Sequence, residues 1–229
     1  MTNAKASSQS PEEYSAAIGE VPEPDLRAKI GYATLNTLSS SGTASFVISI
    51  ANAVIVYITL REVAEPVVLN VWLAFVILIT VLRTAMVLIF RRLDPGSGSL
   101  QLWSAIYCVF VYASALGWGV LPLMDVFYLA GWTETFIVFV ISGMSAGGLV
   151  ALYSSLYAGI PYQILILLPL IYTLSTSGAP AHAAMALLAS MYLLLLLRST
   201  YALNRAASNT IRLEMENNEL FKFLLKARR

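Results

Sequence analysis

The sequence predicts an all-α polytopic membrane protein: six transmembrane helices followed by a cytoplasmic amphipathic helix able to form a coiled coil. Three observations predict it. The chain is 58% hydrophobic and only 12% charged, with a mean hydropathy of +0.74, whereas a soluble domain carries about twice that share of charge. Six apolar stretches approach the roughly 20 residues that a helix needs to cross the hydrocarbon of a bilayer. Between Glu134 and Arg198 there is no Asp, Glu, Lys or Arg at all, which leaves room for three spans joined by tight turns.

The first span is expected over about 43–60 (TASFVISIANAVIVYITL), closed by Arg61. The second runs over about 67–90 and is closed by Arg91 and Arg92, after which Asp94, Pro95, Gly96, Ser97, Gly98 and Ser99 form a loop. The third covers about 102–123 and ends at Pro122, ahead of Asp125. The fourth opens at Glu134 and continues to about 154. Gly159 with Pro161, and Gly178 with Pro180, are the natural breaks in the uncharged stretch, which sets the fifth span at about 161–177 and the sixth at about 181–200. Residues 1–25 are polar and contain Pro11, Pro22 and Pro24, so they read as a disordered tail ahead of a bundle at 26–200. They lack the positive n-region and short apolar core of a signal peptide, so the first span itself is expected to target the chain.

Charge and residue inventory exclude several functions. Fourteen Lys+Arg against thirteen Asp+Glu give a net charge of +1, without the basic bias of a nucleic-acid binder. The one cysteine, Cys108, lies in an apolar run and offers neither a disulfide framework nor a cysteine zinc site. No lysine occurs between Lys29 and Lys222 to carry a retinal Schiff base, and the single histidine, His182, is one short of bis-histidine haem ligation. No cofactor or metal is therefore expected. An ion-coupled transporter usually keeps a carboxylate at mid-membrane, and none is found in the spans.

An even number of spans puts both termini on one side, and the bias of basic residues decides which. With the amino end inside, Arg27, Lys29, Arg91, Arg92 and the basic residues from Arg198 to Arg229 are cytoplasmic, leaving Arg61 outside with Glu62, Glu65, Asp125 and Glu134.

After the sixth span, residues 201–226 contain no Gly or Pro and change from apolar to amphipathic. A continuous helix leaving the membrane follows, with residues 201–229 as a cytoplasmic signalling helix. Leu203, Thr210, Asn217 and Leu224 fall at heptad position a, and Ala206, Leu213 and Leu220 at d, with Glu214 at e and Glu216 at g. A homodimer through this register is the expectation. The competing reading is an interfacial helix, with Phe221, Phe223, Leu224 and Leu225 in lipid beside Lys222, Lys226, Arg228 and Arg229.

From about Leu26 onward the chain resembles the amino-terminal six-span membrane sensory module of bacterial GGDEF-type diguanylate cyclases and of sensor histidine kinases, including hybrid ones. The residues that carry the resemblance are Trp72 and Arg83 with Arg91 and Arg92; Gly117, Trp118 and Gly119; and the run Gly143, Met144, Ser145, Ala146, Gly147 and Gly148. Tyr162 and Pro169 match as well, as do the exit Leu195 to Arg198 and the stretch Arg212 to Leu220. The resemblance implies the bacterial cytoplasmic membrane and a helix that feeds a cytoplasmic output, cyclic diguanylate or a phosphorelay. The chain itself carries no GG(D/E)EF motif, phosphoacceptor histidine or ATP-binding glycine box, so it is not expected to be an enzyme, and the signalling domain is expected in cis or in trans. A small transporter and a scaffold subunit of a membrane complex are the alternatives.

Within the bundle, Gly143-Met144-Ser145-Ala146-Gly147 together with His182 has the outline of an intramembrane serine protease. Ser145 lies about eleven residues below Glu134, roughly 16 Å at 1.5 Å per residue, while His182 stands at the outer mouth, beyond the reach of a general base. Gly143, Gly147 and Gly148 are instead expected to form a close-packing face. Arg83 is the one formal charge within an apolar span, and either snorkels to the inner phosphates or pairs inside the bundle. Asn52, Asn70, Thr80 and Tyr112 are able to hydrogen-bond between helices. Trp118, Tyr128, Trp132, Tyr172 and His182 mark a candidate ligand cavity at the outer side, against the bland reading of an aromatic belt. Glu134 and Asp125 read as solvated outer charges, and Pro161 and Pro169 free carbonyls in the fifth span and offer a bend.

Overall fold

The computed structural model describes residues 42–93, 100–124 and 131–227. The predicted tail at 1–25, Asp125, Tyr128 and the side chains of Leu220 and Leu224 lie outside the described residues. All regular structure described is helical: α1 (Gly42–Leu60), α2 (Pro66–Leu93), α3 (Leu100–Gly119), a single 3₁₀ turn (Leu121–Leu123), α4 (Gly131–Leu152), α5 (Leu156–Thr176) and α6 (Pro180–Ala227). Five segments are long and apolar enough to cross a membrane: Pro66–Leu93, Leu100–Leu123, Gly131–Leu152, Leu156–Thr176 and Pro180–Thr210. The chain is thus a multi-pass helical protein. In α1 the apolar portion, Phe46–Leu60, is shorter.

The helices lie side by side in alternating directions, as tight turns require. Trp72 near the start of α2 donates its indole N–H to Gly117 O near the end of α3, whereas Tyr112 of α3 meets Tyr157 at the start of α5. α5 is the central element, packed against α3, α4 and α6, with α2 on α3 and with α1 on α2 and α4. Its Ile166, Leu167, Leu170 and Leu174 join Trp118, Leu121, Ile137 and Ile141 in the fully buried core.

Two element boundaries differ from expectation. α4 opens at Gly131, so Glu134 falls in its first turn, where a carboxylate faces the positive end of the helix dipole. α5 begins at Leu156, because Ser155 caps it by accepting from Ala158 N, and Pro161 fits inside the helix without ending it. Pro161 has no N–H for the carbonyl four residues back, Tyr157 O. That carbonyl accepts the Tyr112 hydroxyl instead. Pro169 likewise frees Leu165 O, and α3 approaches it closely: a Cβ on Gly119 would stand 2.5 Å from Leu165 O and 3.3 Å from Ile166 Cα.

Polar side chains in the spans are largely consumed by their own helices. The hydroxyls of Thr80, Thr84, Ser145, Thr173, Ser190 and Thr200 each donate to the carbonyl four residues before. In hydrocarbon this local bond replaces the water that the hydroxyl has given up.

Candidate functional site

Three side chains of α6 make polar contacts to α4 or the turn that follows it. At the Gly178 end, His182 in the first turn of α6 meets the Glu134 carboxylate of α4, with Nε2 2.9 Å from Oε1 and 3.0 Å from Oε2. Its Nδ1 lies 2.6 Å from Ser177 Oγ, and Ser177 Oγ donates to Leu174 O at 3.0 Å. The α5–α6 turn that sets up this contact depends on Gly178, whose φ of +74° is strained for any other residue. Midway down, the Tyr192 hydroxyl donates to Ser142 O of α4 at 3.1 Å. At the Ser154 end, the Asn204 amide donates to Tyr153 O and Ser154 O, at 3.0 and 2.9 Å. These are carbonyls at the carboxyl end of α4, where no intrahelical partner remains. Beside that anchor Gly159 of α5 admits Thr200, whose Cγ2 would stand 2.9 Å from a Cβ at position 159.

A second polar group sits in the interior. Gln163 of α5 donates to Ser145 O at 3.0 Å, and the neighbouring Tyr162 hydroxyl to Met144 O at 3.3 Å. Arg83 is 9% exposed and within electrostatic reach of the Tyr107 and Tyr162 phenols. Asn52 of α1 donates its amide to Met144 Sδ at 3.2 Å, Thr80 lies 3.5 Å from Ser49 Oγ, and Asn70 is exposed.

The expected glycine face is divided. Gly148 is the close-packing position, since a Cβ there would fall 2.1 Å from Tyr162 Cε1, whereas Gly143 and Gly147 face open space. The run turns so that Ser145 is buried and its neighbours on the Gly143 side are not. Ser145 Oγ donates to Ile141 O and His182 is held by Ser177 and Glu134, so no nucleophile–base pair forms between Ser145 and His182.

The aromatic set does not share one cavity lining. Trp118 is fully buried and stands edge-on to Trp72, ring centroids 5.6 Å apart. Trp132 and Tyr172, by contrast, are 48% and 62% exposed, the belt position that interfacial aromatics favour. His182 alone of the described set enters a polar contact between helices. Glu134, expected as a solvated charge, is 17% exposed and bound to it.

In the exit segment, Leu203, Ala206, Thr210, Leu213 and Asn217 are all exposed, and Thr210 Oγ1 bonds back to Ala206 O. Sequence reasoning missed Asn204 and Gln163, and it treated Glu134 and His182 separately. The signal for the pair was present in their being the sole carboxylate and sole imidazole between 131 and 197. Among the described residues no group of three or more His, Cys, Asp and Glu side chains is placed to hold a metal ion.

No family model, curated protein or solved structure matches the chain.

Proposed function

We propose that the protein is a membrane-embedded signal-input module, in which α6 carries a change in bundle packing to a cytoplasmic output. One observation carries this reading. α6 runs for 48 residues without a break from the membrane bundle into an amphipathic segment, and only 11% of its apolar window is buried. A helix so long, bonded to α4 along its membrane part and with Leu203, Ala206, Thr210, Leu213 and Asn217 exposed beyond it, is suited to transmit and poorly suited to enclose a solute. The resemblance to the sensory modules of diguanylate cyclases and histidine kinases agrees with this reading, in which α1 is a sixth span. Arg91 and Arg92 close α2 on the side where the α4–α5 turn lies and where Arg198 and Arg205 follow, so both termini are assigned to the cytoplasm.

The exit helix pairs with that of a second copy through Leu203, Ala206, Thr210, Leu213, Asn217, Leu220 and Leu224. Replacing Leu213 and Leu220 with Asp puts charge at two d positions and is expected to convert the dimer of the full chain in detergent to monomer, measured by light scattering. A dimer that survives both substitutions removes the coil from the mechanism. Uptake of a labelled solute into vesicles containing the chain would favour a transporter instead.

A further inference from the structure

We propose that Arg198, Tyr201 and Arg205 of α6 form a binding site for the headgroup of an anionic phospholipid, in the leaflet at the Ser154 end of the bundle. The proposal needs α6 to cross the membrane and stands apart from the signal-input reading. The three residues fall at i, i+3 and i+7 and so share one face of the helix. Leu196, Thr200 and Asn204 turn another way: the first two are buried, and the third bonds to Tyr153 O and Ser154 O. Arg198, Tyr201 and Arg205 are all exposed.

Depth decides what surrounds that face. α4 runs for 22 residues from Gly131 to Leu152, about 33 Å at 1.5 Å per residue, which matches the roughly 30 Å of hydrocarbon in a bilayer. Its Ser154 end therefore stands at the edge of the hydrocarbon, and the bonds to Tyr153 O and Ser154 O put Asn204 at that level. Arg205 is the next residue beyond. Arg198 is six residues back, about 9 Å into the span, at a level where Thr200 still stands beside Gly159 of α5. An arginine exposed there faces acyl chains rather than bulk water, and its charge is costly unless the side chain reaches phosphate or water at the interface. The exposed phenol of Tyr201 stands between the two arginines, at the depth that interfacial aromatics occupy.

Charge selects the lipid. No Asp or Glu occurs on α6 before Glu214. Among the described residues, the close of α2, the opening of α3 and the α4–α5 turn bring Arg91 and Arg92 to the same end and no acidic side chain. A zwitterionic headgroup would add its own ammonium to these guanidiniums. The phosphodiester of phosphatidylglycerol instead adds an uncompensated negative charge, with oxygens that a guanidinium fork binds two at a time. In the register that sets Leu203 at a, Arg198 and Arg205 fall at c and Tyr201 at f, off the seam of a and d positions. A bound lipid and a second exit helix thus occupy different sides of α6.

The test uses the full chain in a Cys108→Ser background, with a bimane on Ala202→Cys, an exposed position beside the three residues. The chain is placed in phosphatidylcholine vesicles that hold a minor share of brominated phosphatidylglycerol or, in parallel, of brominated phosphatidylcholine. Bromine quenches at short range, so the ratio of the two quenching strengths reads the enrichment of anionic lipid around position 202. Enrichment of roughly fivefold is expected. It should vanish in Arg198→Gln/Arg205→Gln, persist in Arg198→Lys/Arg205→Lys, and stay unchanged in Arg61→Gln, which removes an exposed charge at the opposite end. Equal quenching by the two lipids in the parent overturns the site, whatever the variants do. A ratio that survives in the double Gln variant overturns it too, as does equal enrichment around a bimane moved to Ala184→Cys near the Gly178 end. Glycerol phosphate in the buffer, against sodium chloride at matched ionic strength, separates lipid from soluble phosphate: an unchanged ratio supports the lipid headgroup, and a ratio abolished by glycerol phosphate overturns it.

Discussion

At the scale of single residues, two main-chain carbonyls released by prolines lie where neighbouring helices come close. Pro161 frees Tyr157 O for the Tyr112 hydroxyl, and Pro169 frees Leu165 O where Gly119 stands against it. Gly119→Ala brings a methyl group within 2.5 Å of a backbone oxygen, and backbone does not yield as a side chain does. A loss of about 1–3 kcal/mol is expected, seen as a lower midpoint of thermal unfolding in detergent. Gly147→Ala, which meets open space, is the control and should leave that midpoint within about 0.5 kcal/mol of the parent's. The sequence marked Gly119 and Pro169 only as members of a pattern. Their partnership depends on α3 and α5 running parallel, a relation between segments some fifty residues apart that no local periodicity encodes.

At the scale of the helix, spans two to six could be read from apolar length and from Gly and Pro, because hydrocarbon admits backbone only when it is internally bonded. The start of α5 could not, since Pro161 suggested a break and the Ser155 cap overruled it. The anchors of α6 were also hidden: a lone Asn, a lone His and a lone Glu carry no spacing signal, and only packing brings them to their partners. Asn204 supplies the hydrogen bonds of the anchor at the Ser154 end. Asn204→Ala is expected to leave the carbonyls of Tyr153 and Ser154 without that donor and to speed amide hydrogen exchange through residues 197–210, while exchange in α2 and α3 stays unchanged. Equal exchange in variant and parent would show that this amide holds nothing.

At the scale of the whole molecule, orientation is the property on which every functional statement about α6 depends. The Gly178 turn and the Ser154 turn lie at opposite ends of the bundle, because α5 alone connects them. In intact cells carrying the Cys108→Ser chain, a cysteine at Glu62 should react with a membrane-impermeant maleimide and one at Ser154 should not. The opposite pattern would invert the topology and put the His182–Glu134 contact on the cytoplasmic side. With the expected pattern, the His182–Glu134 contact lies at the outer side and Asn204 at the inner surface. Position 204 is also the midpoint of a helix that runs from Pro180 to Ala227, with roughly 35 Å of rod on either side at 1.5 Å per residue. Pivoted there, α6 is a balance beam with equal arms: a tilt that moves His182 sideways by one ångström swings the far tip by about as much the other way, with neither gain nor loss along the rod.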